Sequence, residues 1–489
     1  MFPPLEDIFR LAPELVLCAF GILVMLVEAF LPRRRQGAVA TLALLGSGLA
    51  LAATRLAAAH PGTAFSGLMR IDSFSIFLHL VIGAVAVLVV LASADYLDRE
   101  NLPQGEYYAL VLFAAAGMDV MVSAQELVTA FIGLEMSSIS SYILASYRRT
   151  VAKSNESAMK YFLLGSFATA FFLYGTAMVY GATGTTRLDT LRAALTGTNA
   201  GGALLTLGLA LMFVGLAFKV AVVPFQIWTP DVYEGAPTPV TALLSSAPKA
   251  AAFALLLRIL FVAFDSSSGA WFWMVWISAA LTMFVGNLAA LVQTNLKRML
   301  AYSSIAHAGY ILVAFAAASG AANGARNEFG IAAVLFYLTA YALMKLGAFV
   351  LLAHLGGAGE RRGEINDYAG LGAQQPVAAA FFTLYLLSLL GLPVTAGFLG
   401  KFYIFDAAIK SRLVWLAVLL AVNSVIGAYY YLRVIVVMYM REPQQQWTLL
   451  PIPRAVGLVL LLTAAGTLYL GLFPGAVMGF AAQSARSLR

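Results

Sequence analysis

The chain has 489 residues, 61% of them hydrophobic and only 11% charged, with a mean hydropathy of +0.87. A soluble chain of that length needs much more polar surface, so the composition excludes a soluble globular protein and reads as an all-α polytopic membrane protein. The net charge of +7 comes from basic residues in short segments between apolar runs, not from a stripe, which speaks against nucleic acid as a partner.

Taken in order, MFPPLEDIFRLAPEL opens with acids and prolines, and no small-residue cleavage site follows its apolar run. The first segment therefore reads as a retained helix. It holds Cys18, the single cysteine, which leaves no intrachain disulfide and no cysteine-based metal or iron–sulfur site. A crossing needs ~20 apolar residues, and on that measure about fourteen spans are expected. They lie near 11–32, 38–59, 74–96, 107–123, 126–147, 156–181, 201–229, 238–263, 271–293, 298–318, 328–354, 376–405, 412–440 and 454–480. The seventh runs through Pro224 into QIWTPDVYEGAPTP, and the twelfth is cut by GLPVTAGFLG around Pro393 and Gly397. Proline removes a backbone donor and clashes with the preceding turn, so both are expected to break or kink.

Ionisable residues sit deep inside these spans. Glu135 is near the middle of span five, in ELVTAFIGLEMSSISSYIL, and Lys219 lies close to the break in span seven. Lys249 (SSAPKAAAF) is near the centre of span eight, Lys345 (YALMKLGAF) is inside span eleven, and Lys401 (TAGFLGKFYIF) lies close to the break in span twelve. A charge at mid-bilayer costs at least ~2.5–3.5 kcal/mol, so a row of them points to protonatable sites and ion movement. Lysine suits this because, unlike arginine, it can release its proton when desolvated. A Glu135–Lys219 pair can be switched by moving either partner, and a static ion pair tying helices is the alternative. Snorkelling or helix-tying is likewise the alternative for the other lysines. His307, in SSIAHAGY of span ten, falls between Lys249 and Lys345 in chain order; it either bridges them or makes an ordinary helix contact.

Other charges read differently. Arg258 and Arg433 are expected to snorkel to the interface, Asp119 lies near a span end, and Glu28 suits a contact with a neighbouring subunit or headgroups. Tyr233 and Glu234, in DVYEGAPTPV, fit either a re-entrant turn shaping access to Lys219 or an ordinary interfacial loop.

Spans four to eight and nine to thirteen form two sets of five, each with its fourth member broken beside a lysine. An odd helix count makes the second set inverted, and paired broken helices point to a transport site. The expected division is 1–105 as an N-terminal three-helix segment, 106–265 and 266–440 as the two repeats, and 441–489 as a C-terminal helix. Loops after odd-numbered spans, with their edges, carry more basic residues (Arg33, Arg34, Arg35, Arg99, Arg148, Arg149, Lys153, Lys297, Arg298, Arg361, Arg362, Arg441, Arg454) than those after even-numbered spans (Arg70, Arg187, Arg192, Arg326, Lys410, Arg412), with Arg486 and Arg489 in the tail. This places the odd loops in the cytoplasm of a bacterium and both termini in the periplasm.

At these residues the chain resembles the antiporter-like membrane subunits of respiratory complex I, over nearly its whole length from about span two onward. PFQIWTPDVYEGAPTPVTALLSSAPKAAAF (224–253), after FKVAVVP, is the most specific stretch. TPDVYEGAPTPV, the APK of Lys249, and a lysine at 401 where one sister subunit has glutamate favour one of the three branches of that family. So does the lack of a long lateral helix after span fourteen.

The resemblance implies proton translocation along a central axis of charged residues, driven by quinone reduction elsewhere in the complex. Glu135 with Lys219 resembles the switching pair, Lys249 and Lys345 the relay, and Lys401 the exit site. NADH, FMN, iron–sulfur clusters and quinone would be bound by partner subunits, with no cofactor on this chain. Gln226 departs from the pattern, standing where a histidine often precedes the Trp of PFxxW. The rivals are a subunit of a multisubunit cation/proton antiporter or membrane-bound hydrogenase, a stand-alone transporter of an organic substrate, and a purely structural subunit.

Overall fold

The computed structural model of the chain describes residues 4–31, 36–195, 202–321, 326–443 and 451–488. Arg33, Arg34, Arg35 and Arg489, which contribute to the expected orientation, lie outside the described residues. The helices in chain order are α1 (Leu5–Arg10), α2 (Ala12–Phe30), α3 (Gln36–Ala59), α4 (Ser73–Arg99), α5 (Gly105–Ser123), α6 (Leu127–Ala145) and α7 (Ala152–Thr183). Then come α8 (Leu188–Leu195), α9 (Ala203–Val220), α10 (Trp228–Gly235), α11 (Thr238–Arg258), α12 (Ser268–Leu291), α13 (Leu296–Ala318) and α14 (Glu328–Leu355). The last are α15 (Leu371–Gln374), α16 (Pro376–Leu390), α17 (Ala396–Lys410), α18 (Val414–Met440), α19 (Arg454–Leu472) and α20 (Gly475–Arg486). Among the described residues, thirteen helices are long and apolar enough to cross a membrane. The twelfth expected crossing is instead shared by α16 and α17, of 15 residues each.

Helix starts are set by local chemistry. Asp72 and Ser75 form a reciprocal capping box on α4. The Glu126 side chain accepts from Val128 N and Thr129 N to open α6, and Asn295 accepts from Arg298 N to open α13. Gly391, at φ 95°, ends α16 in the left-handed conformation that a residue with a Cβ avoids.

Loop contacts sort by parity. On one face Gly359 N donates to Glu100 (2.8 Å), Arg148 pairs with Glu100 (3.4 Å), Lys297 with Glu360 (3.1 Å), and Arg441 donates to Asn366 (3.0 Å). These residues follow the third, fifth, ninth, eleventh and thirteenth crossings. Their even-numbered counterparts meet elsewhere: Gln125 N donates to Leu68 O (2.8 Å), Leu127 N to Thr186 O (3.0 Å), and Asn327 Nδ2 to Ser411 Oγ (2.9 Å). The alternation agrees with the crossings expected from hydropathy.

Three expectations need correction. A two-stranded antiparallel hairpin, β1 (Gly62–Ala64) with β2 (Met69–Ile71), interrupts the otherwise helical chain. The final span does not run to 480, because the chain turns at Phe473–Pro474 and continues as α20 against the start of α4. Of the two readings left open for DVYEGAPTPV, the contacts favour the interfacial one: Asp231 and Glu234 pair with Arg298 at 2.6 and 3.0 Å, on the face of the odd-numbered loops. Arg258 does not snorkel; it is 0% exposed and ion-paired with Asp72 at 2.8 Å. Arg433, by contrast, donates to the backbone oxygens of Leu291 and Gln293 at the end of α12, as a residue near a span end should.

The core lies around α11, α13 and α14, which are buried almost all round, whereas α2, α3, α7, α12, α18 and α19 keep broad apolar faces outward. An apolar outer surface suits lipid tails or neighbouring apolar helices.

Candidate functional site

The polar line through the core begins at the end of α9. Ala221 leaves the helix at φ 63°, and the end is capped by Ala221 N donating to Phe218 O (3.0 Å) and Val222 N to Ala217 O (2.8 Å). The Trp228 indole N–H adds a second donor to Phe218 O (2.9 Å). Lys219 in this last turn is buried; its ammonium donates to Ser138 Oγ on α6 (2.8 Å) and to the Tyr161 hydroxyl on α7 (3.4 Å). It also lies 5.7 Å and 5.5 Å from the ring centroids of Tyr142 and Tyr161. Glu135, one turn before Ser138, does not ion-pair directly with Lys219. Its carboxylate acts on the ammonium through space, and its buried Oε1 has no hydrogen-bond partner.

On α11, Pro248 cannot donate to Leu244 O four residues back, and the Tyr233 hydroxyl donates there instead (3.3 Å). The next residue, Lys249, crosses to α13, donating to Ser304 Oγ (2.6 Å) and Ser304 O (2.9 Å). Ser304 Oγ is also 2.6 Å from the Tyr341 hydroxyl of α14. Lys345 on α14 approaches the same stretch of α13, donating to Ser303 Oγ (2.9 Å) and Leu300 O (2.7 Å). Ser303 Oγ is hydrogen-bonded to the Tyr431 hydroxyl of α18, which lies 3.1 Å from His307 Nε2; His307 Nδ1 is hydrogen-bonded to the Tyr337 hydroxyl.

Lys345, Ser303, Tyr431, His307 and Tyr337 thus form one hydrogen-bonded chain, with Lys249, Ser304 and Tyr341 beside it. Of the two sequence readings of His307, the hydrogen bonds give the helix contact, tying α13 to α14 and α18, while no hydrogen bond joins it to Lys249.

Lys401, on α17, stands at the far end of the line. Its ammonium donates to Leu390 O (2.8 Å), the last residue of α16, and sits 4.9 Å from the Tyr310 ring centroid. Tyr310 is in turn edge-on to His307, with ring centroids 5.4 Å apart.

The sequence pattern located the lysines, Glu135 and His307 but missed the hydroxyls that join them: Ser138, Tyr161, Ser303, Ser304, Tyr337, Tyr341 and Tyr431. One signal was present. Ser303, His307 and Tyr310 recur at four and three residues, on one face of a helix.

The charged loops on the odd-numbered face include Glu360, whose side chain is 11% exposed. Burial alone would raise the pKa of Glu360, but the Lys297 ammonium and donors from Thr238 and Tyr96 outweigh it and hold it down at about 2.

Comparison with known proteins gives a consistent picture. Residues 124–427 match the family described as NADH:quinone oxidoreductase/Mrp antiporter, transmembrane. NADH-quinone oxidoreductase subunit N 1 of Solibacter usitatus is 49% identical over 485 residues, covering 99% of this chain and 98% of that one. A chain of respiratory complex I from Thermus thermophilus with bound aureothin superposes with a TM-score of 0.80 at 36% identity, over 96% of this chain and 99% of that one. A chain of the Mrp complex from Dietzia sp. gives a TM-score of 0.85 at 21% identity, over 99% and 98%, which is a likeness of fold.

Proposed function

The chain belongs to the NADH:quinone oxidoreductase/Mrp antiporter membrane family, and from that premise we propose that it carries protons across the membrane as an antiporter-like subunit of an NADH–quinone oxidoreductase. The carrying observation is the pair of hydrogen-bonded chains set side by side along α13, Lys249–Ser304–Tyr341 and Lys345–Ser303–Tyr431–His307–Tyr337. A buried ammonium donates to a serine or tyrosine oxygen, each hydroxyl can accept one proton while giving up another, and His307 can do the same between its two ring nitrogens. Adjacent ammonium groups repel, so a proton arriving at one lysine favours departure from the next.

Lys219 and Glu135 form the gate of this line. Lys219 is held by Ser138 and Tyr161, with Glu135 near but unpaired, so a small movement of α9 at its broken end would bring the two charges together or apart. Lys249, Lys345 and His307 form the relay, and Lys401 is the last station. The energy comes from quinone reduction in partner subunits, which would also hold NADH, FMN and the iron–sulfur clusters, and the other membrane-arm subunits are its partners. Both broken helices, α9 and α16–α17, carry their lysines at the break, which supports the inverted-repeat reading of 106–265 and 266–440. The odd-numbered loops would face the cytoplasm and both termini the periplasm. A cation/proton antiporter subunit is disfavoured, because near half-identity to a subunit N contrasts with 21% to the Mrp chain.

The test is NADH-driven proton uptake by inverted membrane vesicles carrying Lys219→Ala, normalised to NADH oxidation and to assembled complex. Uptake should fall while the complex assembles. Normal uptake would sink the relay, and loss of assembly alone would favour a structural role.

A further inference from the structure

Away from the lysine line, a second set of ionisable side chains is shut off from solvent where α2, α4 and α5 meet. Glu14, His79 and Asp119 are 3%, 1% and 2% exposed. His79 Nε2 lies 2.9 Å from Ser123 Oγ, 3.3 Å from the Asp119 carbonyl oxygen and 3.6 Å from Glu14 Oε1. Carbonyl and carboxylate oxygens only accept, so the ring hydrogen belongs on Nε2. That leaves Nδ1, which is buried without a partner. Both Glu14 carboxyl oxygens, Asp119 Oδ1 and Gln125 Oε1 are buried without partners as well.

The charges around this space do not neutralise it. Arg258, from α11, is committed to Asp72 Oδ1 (2.8 Å) and Val122 O (2.6 Å), and Arg70 faces Asp72 at 3.6 Å. Cys18, one turn along α2 from Glu14, brings no positive charge. Glu14 and Asp119 act on each other electrostatically. With no unpaired cation beside them among the described residues, two buried carboxylates that repel each other cannot both remain charged, and a proton on either one removes the conflict.

We propose that Glu14, His79 and Asp119 form a second proton-holding site, in which His79 takes up a proton on Nδ1 and gives its Nε2 proton to the Glu14 carboxylate, storing it there and passing it on at the membrane face where α11 ends. That part in transport rests on the translocation reading above; the occupancy of the site by a proton does not. Arg258 closes α11 nine residues after Lys249, roughly 13 Å further along the axis. The helix there widens into a π-turn over Ile259–Ala263, a distortion found mostly at functional sites. In the orientation proposed above, this is the side on which protons are released.

Infrared difference spectra of the assembled complex, acid minus alkaline in H2O and D2O, read the proton directly. Wild type should show a deuterium-sensitive carboxylic-acid band that Glu14→Gln or Asp119→Asn removes and Glu14→Asp retains. A band unchanged in both amide variants overturns the proposal. If Glu14→Gln does not assemble, Asp119→Asn and His79→Gln carry the test, the latter by altering the band's titration. Proton uptake per NADH oxidised should fall at least about twofold in the assembled variants, a change of about 0.4 kcal/mol. A lost band with unchanged uptake overturns the role in transport. Normal uptake in Lys219→Ala would sink the lysine relay and leave the band result standing, so the two failures are distinguishable.

Discussion

A single hydroxyl decides whether the polar line along α13 is continuous. Tyr431 lies between Ser303 and His307, and no other described side chain hydrogen-bonds to both. Tyr431→Phe keeps the ring and removes only that link. Losing one hydrogen bond of about 1 kcal/mol from the path corresponds to about a fivefold slower step. Proton uptake per NADH oxidised in vesicles should drop by that order while assembly stays normal, and unchanged uptake would take Tyr431 out of the path. The lysines were legible because a charge in an apolar run is expensive and stands out. The serines and tyrosines were not, because hydroxyls in helices routinely bond to their own backbone, and neither composition nor spacing tells a relay from that. Glu135 shows a different limit: its pairing with Lys219 was a reasonable guess from helix position, yet Ser138 and Tyr161 hold the lysine in this conformation.

Broken helices hold that line in place, and the α16–α17 junction depends on one missing side chain. A Cβ on Gly397 would lie 1.8 Å from Ser388 O, a backbone atom that cannot move without displacing α16. Gly397→Ala should therefore unseat α17 and Lys401 with it, lowering the amount of assembled complex seen on native gels. Gly48→Ala, where a Cβ meets nothing within 4 Å, should leave it unchanged. Equal effects of the two substitutions would mean the close approach is not required. Both breaks were legible, because Pro224 and the GLP of 391–393 interrupt the helix donors. The break at Phe473–Pro474 was overlooked, since apolar residues on both sides of Pro474 keep the hydropathy high. The hairpin at 62–71 escaped because three-residue strands are too short to show a period of two. Arg258 was misread for a related reason: its position near a span end suggested the interface, but Asp72, which caps α4, meets it from a distant part of the chain.

Across the molecule, Glu360 joins parts that are remote in sequence. It accepts from the Tyr96 hydroxyl at the end of α4 and from Thr238 N and Oγ1 at the start of α11, and it pairs with Lys297 of α13 and with Arg148. Its pKa falls from 4.5 to about 2 in the folded chain, so its stabilisation, about 3 kcal/mol, is fully present above pH 4.5 and is lost as pH falls through 2. Glu360→Gln should lower the thermal stability of the purified complex at neutral pH, and the deficit relative to wild type should persist down to pH 5. A deficit that vanished between pH 7 and pH 5 would contradict the depressed pKa. Number and alternation of crossings were legible at this scale from apolar length alone. The arrangement of helices around α11, α13 and α14 was not, because apolar residues that face lipid and those that face protein look alike in sequence.

The complete enclosure of α11 has a consequence for how the chain is made. Every face of this helix meets protein, and it carries Pro248, Lys249 and Arg258. It therefore offers lipid little reason to accept it alone as it leaves the translocon. Two of the helices that cover it, α13 and α14, are synthesised after it. During biogenesis α11 can pack at once against the earlier helices α4, α5, α6 and α9, but its remaining side stays uncovered until α14 has emerged. A ribosome halted just after α12 would leave α11 against α4, α5, α6 and α9 with the side that meets α14 still open.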